Sequence, residues 1–254
     1  MSAGYSAAFR VRFDEAGPDG RVRTSSLLRY AQDLAWQHSD ALGLDRAWYR
    51  GRGVTWLVRA AALTVLGEMA SGTTVTGTTT IAGFRRVWSR RHTEFHDEAG
   101  TLAAWVNIDW VLIDERGSPQ RIPPEIQGAF PVVGTVVSLA RVDLGEPPAD
   151  VPSVGITVRP QELDPLDHVN NAVYADWLDE QVLGADPEGG VRAVRRLPRL
   201  VRLEYARAAE AGTTVTARTW QDDGDVATGA GWSCRIDAAD GTSLLRARLE
   251  SGGD

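Results

Sequence analysis

The sequence predicts an α+β fold built twice, with two tandem domains that each wrap an antiparallel sheet around a long central helix. Three observations carry this expectation. Residues 9–113 read as one strand, one long helix and then four strands. Fragments of the first half return in the second, in the same order. Between the copies lies a stretch, 117–153, punctuated by Pro119, Pro123, Pro124, Pro131, Pro147, Pro148 and Pro152. The expected boundaries are 1–116 for the first domain, 117–153 for a linker with short structure around Phe130 to Leu139, and 154–254 for the second domain.

Each element has a local reason. Phe9-Arg10-Val11-Arg12-Phe13 alternates as a strand does, and Gly17-Pro18-Asp19-Gly20 is a turn. Thr24, Ser25 or Ser26 can cap a helix whose apolar face is Leu27, Leu28, Tyr30, Ala31, Leu34 and Ala35, with Gly43 as its stop. Strands follow at Gly53–Val65, Thr73–Ile81, Val87–His96 and Leu102–Ile113. The repeat is direct. Ser71-Gly72-Thr73-Thr74-Val75-Thr76 returns as Ala211-Gly212-Thr213-Thr214-Val215-Thr216, Trp88-Ser89 as Trp232-Ser233, and Gly20-Arg21-Val22 matches Asp167-His168-Val169.

Composition bounds the function. A hydrophobic fraction of 43% and a charged fraction of 24% are those of a soluble globular chain. The formal net charge of −7 argues against general nucleic-acid binding. No apolar run is long enough to span a membrane, and Met1-Ser2-Ala3-Gly4-Tyr5 opens no signal peptide, so a cytoplasmic location is expected. The single cysteine, Cys234, suits a reducing compartment, and the four histidines form no metal-ligand spacing.

The chemistry is expected at Asp164-Pro165-Leu166-Asp167-His168-Val169-Asn170-Asn171-Ala172-Val173-Tyr174, where strand period gives way to helix period. Asn170 or Asn171 can cap the helix that follows. A helix N-terminus offers unpaired amides and partial positive charge, able to hold a developing oxyanion. Asp164 and His168 would face that point, as base or nucleophile and as polarising group. In the first copy Gly17 stands where Asp164 stands in the second, and Glu15 is out of register, so the catalytic groups are expected in the second copy only. Tyr174 and Trp177 read as core, Glu204 as a solvated strand residue, and His92 and His96 receive no role.

This turn resembles that of the hotdog-fold thioesterases, and the likeness narrows to the acyl-ACP thioesterases of plants and bacteria. Val11-Arg12-Phe13-Asp14-Glu15-Ala16-Gly17-Pro18-Asp19, Gln32-Asp33, Trp56-Leu57-Val58-Arg59 and Leu203-Glu204-Tyr205-Ala206-Arg207 resemble further family segments. The resemblance implies hydrolysis of acyl-carrier-protein thioesters to free fatty acid, without cofactor or metal. It implies an active site of Asp164, His168, Asn170 and Asn171, with Val169–Asn171 amides at the oxyanion. The partner it implies is an acyl carrier protein bearing a phosphopantetheine-linked chain, and pairing into a homodimer stays open. Leu166, Ala208 and Ala209 depart from the plant pattern of Asn, Glu and Cys, and Asp167 stands where Gly is usual. Arg85, Arg86, Arg90 and Arg91 are a candidate surface for an acidic carrier and its phosphate. The rivals are an acyl-CoA thioesterase, a tandem dehydratase using His38, and a catalytically weak acyl-binding scaffold.

Overall fold

The computed structural model describes residues 4–222 and 231–252. Met1–Ala3 of the opening stretch and the last two residues of the second domain lie outside them. The chain divides into two compact units, 1–63 with 67–140, and 141–254 with 64–66. The first unit holds β1 (Gly4–Arg10), α1 (Thr24–Ala41), α2 (Arg46–Gly51), β2 (Val54–Val65), β3 (Thr74–Phe84), β4 (Trp88–His96), β5 (Leu102–Asp114) and α3 (Pro124–Ala129). Its strands run in the order β1-β3-β4-β5-β2, and the pairs β1–β3, β3–β4 and β4–β5 are antiparallel. The second unit holds β6 (Ser153–Thr157), α4 (Val173–Ala185), α5 (Pro187–Arg195), β7 (Arg199–Tyr205), β8 (Thr214–Asp222), β9 (Gly231–Asp237) and β10 (Ser243–Ser251). Its order is β7-β10-β9-β8-β6, again antiparallel.

The long helix of the first unit forms as its pattern demands. Leu27, Ala31, Leu34 and His38 are buried at helical spacing. The amides of Leu44 and Gly43 return to the carbonyls of Ser39 and Asp40, and Gly43 takes a φ of 77°, a Schellman stop. Its start differs from expectation. Arg23 is the N-cap and makes no side-chain cap, while Thr24, Ser25 and Ser26 are buried inside the first turn. The Arg23 amide is held by the Glu15 carbonyl and Ser26 Oγ donates to that same carbonyl, so the preceding turn enters the helix directly. The first strand also sits earlier, at Gly4–Arg10, and Phe13–Glu15 is a 3-10 turn.

The repeat is reproduced bond by bond in the segment before each helix. Arg12 N–H donates to Glu15 Oε2, and Arg159 N–H to Glu162 Oε2. Gly17 N–H donates to the Arg21 carbonyl, and Asp164 N–H to the His168 carbonyl, both at 2.8 Å. Arg23 N–H reaches the Glu15 carbonyl, and Asn170 N–H the Glu162 carbonyl. Tyr30 donates its hydroxyl to Glu15, and Trp177 its Nε1–H to Glu162. Glu15 is therefore a scaffold carboxylate, matched by Glu162.

The stretch 117–153, read as a linker, is packed onto the two units. Ile122, Ile126 and Phe130 join the first unit's core, with the helix at Pro124–Ala129 ahead of the expected Phe130–Leu139. Val132 bridges Ile81 in parallel, continuing the strands beyond the end of β1. Asp109, only 1% exposed, takes both nitrogens of Arg90 and the Ala140 amide. Farther on, Arg141 and the Val142 amide donate to Glu204, which is 4% exposed. Glu204 is thus a buried anchor and not a solvated strand residue. No helix among the described residues is long and apolar enough to cross a membrane.

Helix α1 approaches β3 closely. A Cβ on Gly77 would lie 2.5 Å from Leu34 Cδ1 and 3.0 Å from Phe95 Cε1, both fully buried side chains. Gly77→Ala should therefore lower unfolding free energy by about 1–3 kcal/mol, as overpacking does. A urea midpoint equal to that of the wild type would show that the helix has room to shift.

Candidate active site

The turn at 164–168 presents Asp164 in a defined posture. Leu163 and Val169 bridge across its base, and the Asp167 amide returns to the Asp164 carbonyl at 2.9 Å. Asp164 Oδ1 accepts from the Leu166 amide at 2.8 Å, while Oδ2 takes no hydrogen bond from the described residues. The residue is half-buried, with one oxygen tethered and the other without a hydrogen bond from the described residues. Asp167 closes the turn at a φ of 61°, the left-handed region, as Gly20 does at 75° in the first unit. Aspartate tolerates that region better than most residues, at about 1 kcal/mol relative to glycine.

His168 is exposed, and its side chain makes no hydrogen bond with the described residues. Asn170 is committed to structure. Its Oδ1 accepts the Ala172 amide at 2.9 Å and its carbonyl accepts the Val173 amide, but the N-cap of α4 is Ala172, which makes no side-chain cap, so neither Asn170 nor Asn171 caps the helix as expected. The expected oxyanion amides are accordingly fewer than the sequence suggested. Val169 N–H is spent on the Ala209 carbonyl and Asn170 N–H on the Glu162 carbonyl. In 169–171, the Asn171 amide alone lacks an acceptor among the described residues.

Two buried phenols hold this turn from beneath. Tyr205 donates its hydroxyl to the Asn171 carbonyl at 2.9 Å. The Tyr174 hydroxyl accepts the Ala209 amide at 3.0 Å, and the two rings meet edge to face. Burial pushes the Tyr174 pKa up to about 12, so it stays protonated. Trp177 packs on Tyr174, and both belong to the core, as their spacing predicts.

The first unit holds a cavity that the sequence did not reveal. It is a small pocket, partly open to solvent. Trp36, Tyr49, Trp56, Phe84, Trp110 and Phe130 form most of its wall. Arg91 also lines it, at 7% exposure. Its guanidinium donates to His38 Nδ1 at 3.1 Å and sits 4.9 Å above the Phe130 ring. The four arginines therefore do not form one surface. Arg85 and Arg86 are exposed on the β3–β4 turn, Arg90 is neutralised by Asp109, and Arg91 points inward. Strand alternation explains the split: Ser89, Arg91, Thr93 and Phe95 share the buried face of β4. A charged residue in register with an apolar face was the available signal. His92 lies on the opposite face with Asn107 and Glu94, and His96 with Glu94.

The acyl-ACP thioesterase N-terminal domain family matches residues 2–130, and the acyl-ACP thioesterase C-terminal domain family matches residues 145–248. The chain belongs to the acyl-ACP thioesterase family. It is 25% identical over 260 residues to a chloroplastic acyl-[acyl-carrier-protein] hydrolase of Cuphea viscosissima, covering 95% of this chain and 61% of that protein. It is 24% identical over 265 residues to the chloroplastic palmitoyl-acyl carrier protein thioesterase of Arabidopsis thaliana, covering 95% and 62%. The chain thus spans about three fifths of the length of these curated relatives. Among solved structures, it is similar to a protein named as an oleoyl thioesterase from Lactobacillus plantarum, with a TM-score of 0.84, 24% identity, and coverage of 97% and 95%. It is also similar to the 12:0-ACP thioesterase of Umbellularia californica, with a TM-score of 0.77, 22% identity, and coverage of 98% and 93%. The architecture is the tandem hotdog of this acyl-ACP thioesterase family.

Against the family pattern, the three departures fall in quiet places. Leu166 serves the turn through its amide, and its side chain is 48% exposed. Ala209 serves through its backbone, linking Val169 to Tyr174. Ala208 makes no contact that explains its substitution.

His38 gives a pH prediction for this acyl-ACP thioesterase relative. Arg91 can only donate, so His38 Nδ1 must be its unprotonated acceptor. Loss of solvent first, and the Arg91 charge second, lower its pKa to about 4 from 6.5. The unfolded chain binds this proton more readily, so stability falls as pH drops from about 6.5 towards 4. A His38→Gln variant should show a shallower loss of urea midpoint across that window than the wild type. Parallel curves would remove His38 from the acid response.

Proposed function

We propose that the protein hydrolyses acyl thioesters carried on acyl carrier protein, releasing a free fatty acid, with the chemistry in the second unit. The observation that supports this reading most is the tethered Asp164 carboxylate, open at Oδ2, on the turn that leads into α4. As general base, Asp164 takes a proton from water as the water oxygen adds to the thioester carbon. The carbonyl electrons move onto oxygen, which the Asn171 amide can receive. The tetrahedral intermediate then expels the pantetheine sulfur, and the Asp164 proton restores the thiol. As nucleophile, Asp164 attacks the same carbon and expels the pantetheine thiolate, and water then cleaves the resulting anhydride, releasing the fatty acid, regenerating the Asp164 carboxylate and supplying the proton that the thiolate takes up. His168, exposed beside the turn, orients or polarises. No residue pattern here calls for a cofactor, and a cytoplasmic setting suits the single buried cysteine.

Gly17 in place of a carboxylate leaves the first unit without the catalytic group. Arg85 and Arg86 offer the carrier two exposed guanidiniums. Their backbones are fixed by the Arg85 amide to the Trp88 carbonyl and the Ile122 amide to the Arg86 carbonyl.

The test is turnover on matched acyl-ACP and acyl-CoA, with mass spectrometry of the acids released from a mixed acyl-ACP pool. Acyl-ACP should be preferred, and charge reversal at Arg85 and Arg86 should raise KM for acyl-ACP while sparing a short acyl thioester. Preference for acyl-CoA, with both variants indifferent, would move the substrate to coenzyme A.

A further inference from the structure

We infer that Tyr205, on β7, is a positioning residue of the hydrolysis. Its buried hydroxyl holds the peptide that follows Asn171, and so sets the direction in which the Asn171 N–H meets the oxyanion. This rests on the reading of that amide as the oxyanion donor, and it involves the second unit alone. Tyr205 reaches the turn from 34 residues away in sequence, so its hold is tertiary and not part of the turn itself.

Two adjacent peptide planes meet at the Asn171 Cα. The first joins the Asn170 carbonyl to the Asn171 N–H, and the second joins the Asn171 carbonyl to the Ala172 N–H. The second plane is gripped at both ends. Its carbonyl accepts the Tyr205 hydroxyl at 2.9 Å, and its amide donates to Asn170 Oδ1 at 2.9 Å. In the first plane the carbonyl accepts the Val173 amide at 2.9 Å, and the N–H has no acceptor among the described residues. Only the φ and ψ of Asn171 separate that free N–H from the held plane. Asn170 grips from within the turn, and Tyr205 ties the plane to the sheet. Held so, the N–H cannot swing away. A donor aimed in advance costs no reorganisation when charge develops on the carbonyl oxygen.

A buried phenol has to find an acceptor somewhere, so packing alone accounts for some bond. Packing does not require this acceptor, one peptide from the reacting amide. Burial holds the Tyr205 pKa well above the usual phenol value, so the hydroxyl keeps its proton and donates at neutral pH. The ring is set edge to face against Tyr174, whose own hydroxyl accepts the Ala209 amide. The Ala209 carbonyl in turn takes the Val169 amide, which leaves the oxyanion to Asn171. The copy without the carboxylate lacks this phenol pair. Counting from Gly17 against Asp164, Leu27 stands there in the place of Tyr174.

The experiment is Tyr205→Phe, which keeps the ring and removes the bond, assayed on acyl-ACP beside the wild type. Its kcat should fall about ten- to hundredfold, less than removal of an oxyanion donor outright, while KM stays within about twofold. A core role alone would not move the second readout, which is spectroscopic. In Asp164→Asn, the infrared carbonyl stretch of a bound, isotope-labelled acyl-pantetheine thioester should shift to higher frequency once Tyr205→Phe is added, because a loosened N–H polarises it less. Asn170→Ala releases the other end of the same peptide and should move kcat and the band in the same direction, so the outcome does not depend on Tyr205→Phe folding. An unmoved band, or a change confined to KM or to the thermal melt, overturns the assignment and leaves the hydrolase intact. If the wild type releases no acid from acyl-ACP, the hydrolase reading fails instead. The band in the unreacted wild-type complex then decides, with a shift on Tyr205→Phe expected and an unmoved band overturning the assignment.

Discussion

The backbone hydrogen bond from the Asp164 amide to the His168 carbonyl fixes everything downstream of it in the second unit. It closes a turn that delivers the chain into α4. The bond belongs to a frame present in both units. Glu15 and Glu162 each bind a backbone amide with the carboxylate, another with the carbonyl, and an aromatic donor from the following helix. The frame is needed for folding whether or not chemistry follows. Gly17 is not left-handed, so its counterpart position accepts an aspartate without strain. The left-handed position is the separate one held by Gly20 and Asp167. A carboxylate could thus be placed in one copy without disturbing the scaffold.

The two units spend their interiors differently. In the second, Tyr174, Tyr205 and Trp177 fill the space beneath the turn and use their polar atoms to tie it down. In the first, the corresponding helix borders a small pocket, and two buried polar atoms of its lining residues, Ser89 Oγ and Trp110 Nε1, have no hydrogen-bond partner among the described residues. Gly77 marks where the opening ends, since Leu34 and Phe95 close onto β3 there.

Much of this was legible in the sequence. The order of elements, the duplication and the position of the turn before α4 follow from period changes and from Thr/Val repeats, which local physics controls. The Schellman end at Gly43 could be read from one glycine. The first turn of α1 could not, because a carbonyl from Glu15 caps it and not Thr24, Ser25 or Ser26. The proline-rich stretch looked like a linker because prolines punctuate it throughout. Yet Ile122, Ile126 and Phe130 each find a buried place, and Asp109 and Glu204 bind its backbone across long sequence separation. The same limit hid the cavity. Arg91 reads as part of a basic surface with Arg85, Arg86 and Arg90 until its face of β4 is known. The oxyanion amides were overcounted since the acceptors for Val169 and Asn170 lie on Ala209 and Glu162, outside the turn.

The central claim is that one carboxylate, Asp164, carries the reaction. The most direct measurement is kcat/KM on acyl-ACP for Asp164→Asn beside the wild type, with thermal melts of both. The amide keeps an oxygen for the Leu166 N–H, so the turn and the melting temperature should stay as they are. The rate should fall by orders of magnitude, because an amide neither removes a proton nor attacks the thioester. A folded Asp164→Asn enzyme that hydrolyses acyl-ACP at the wild-type rate would contradict the account.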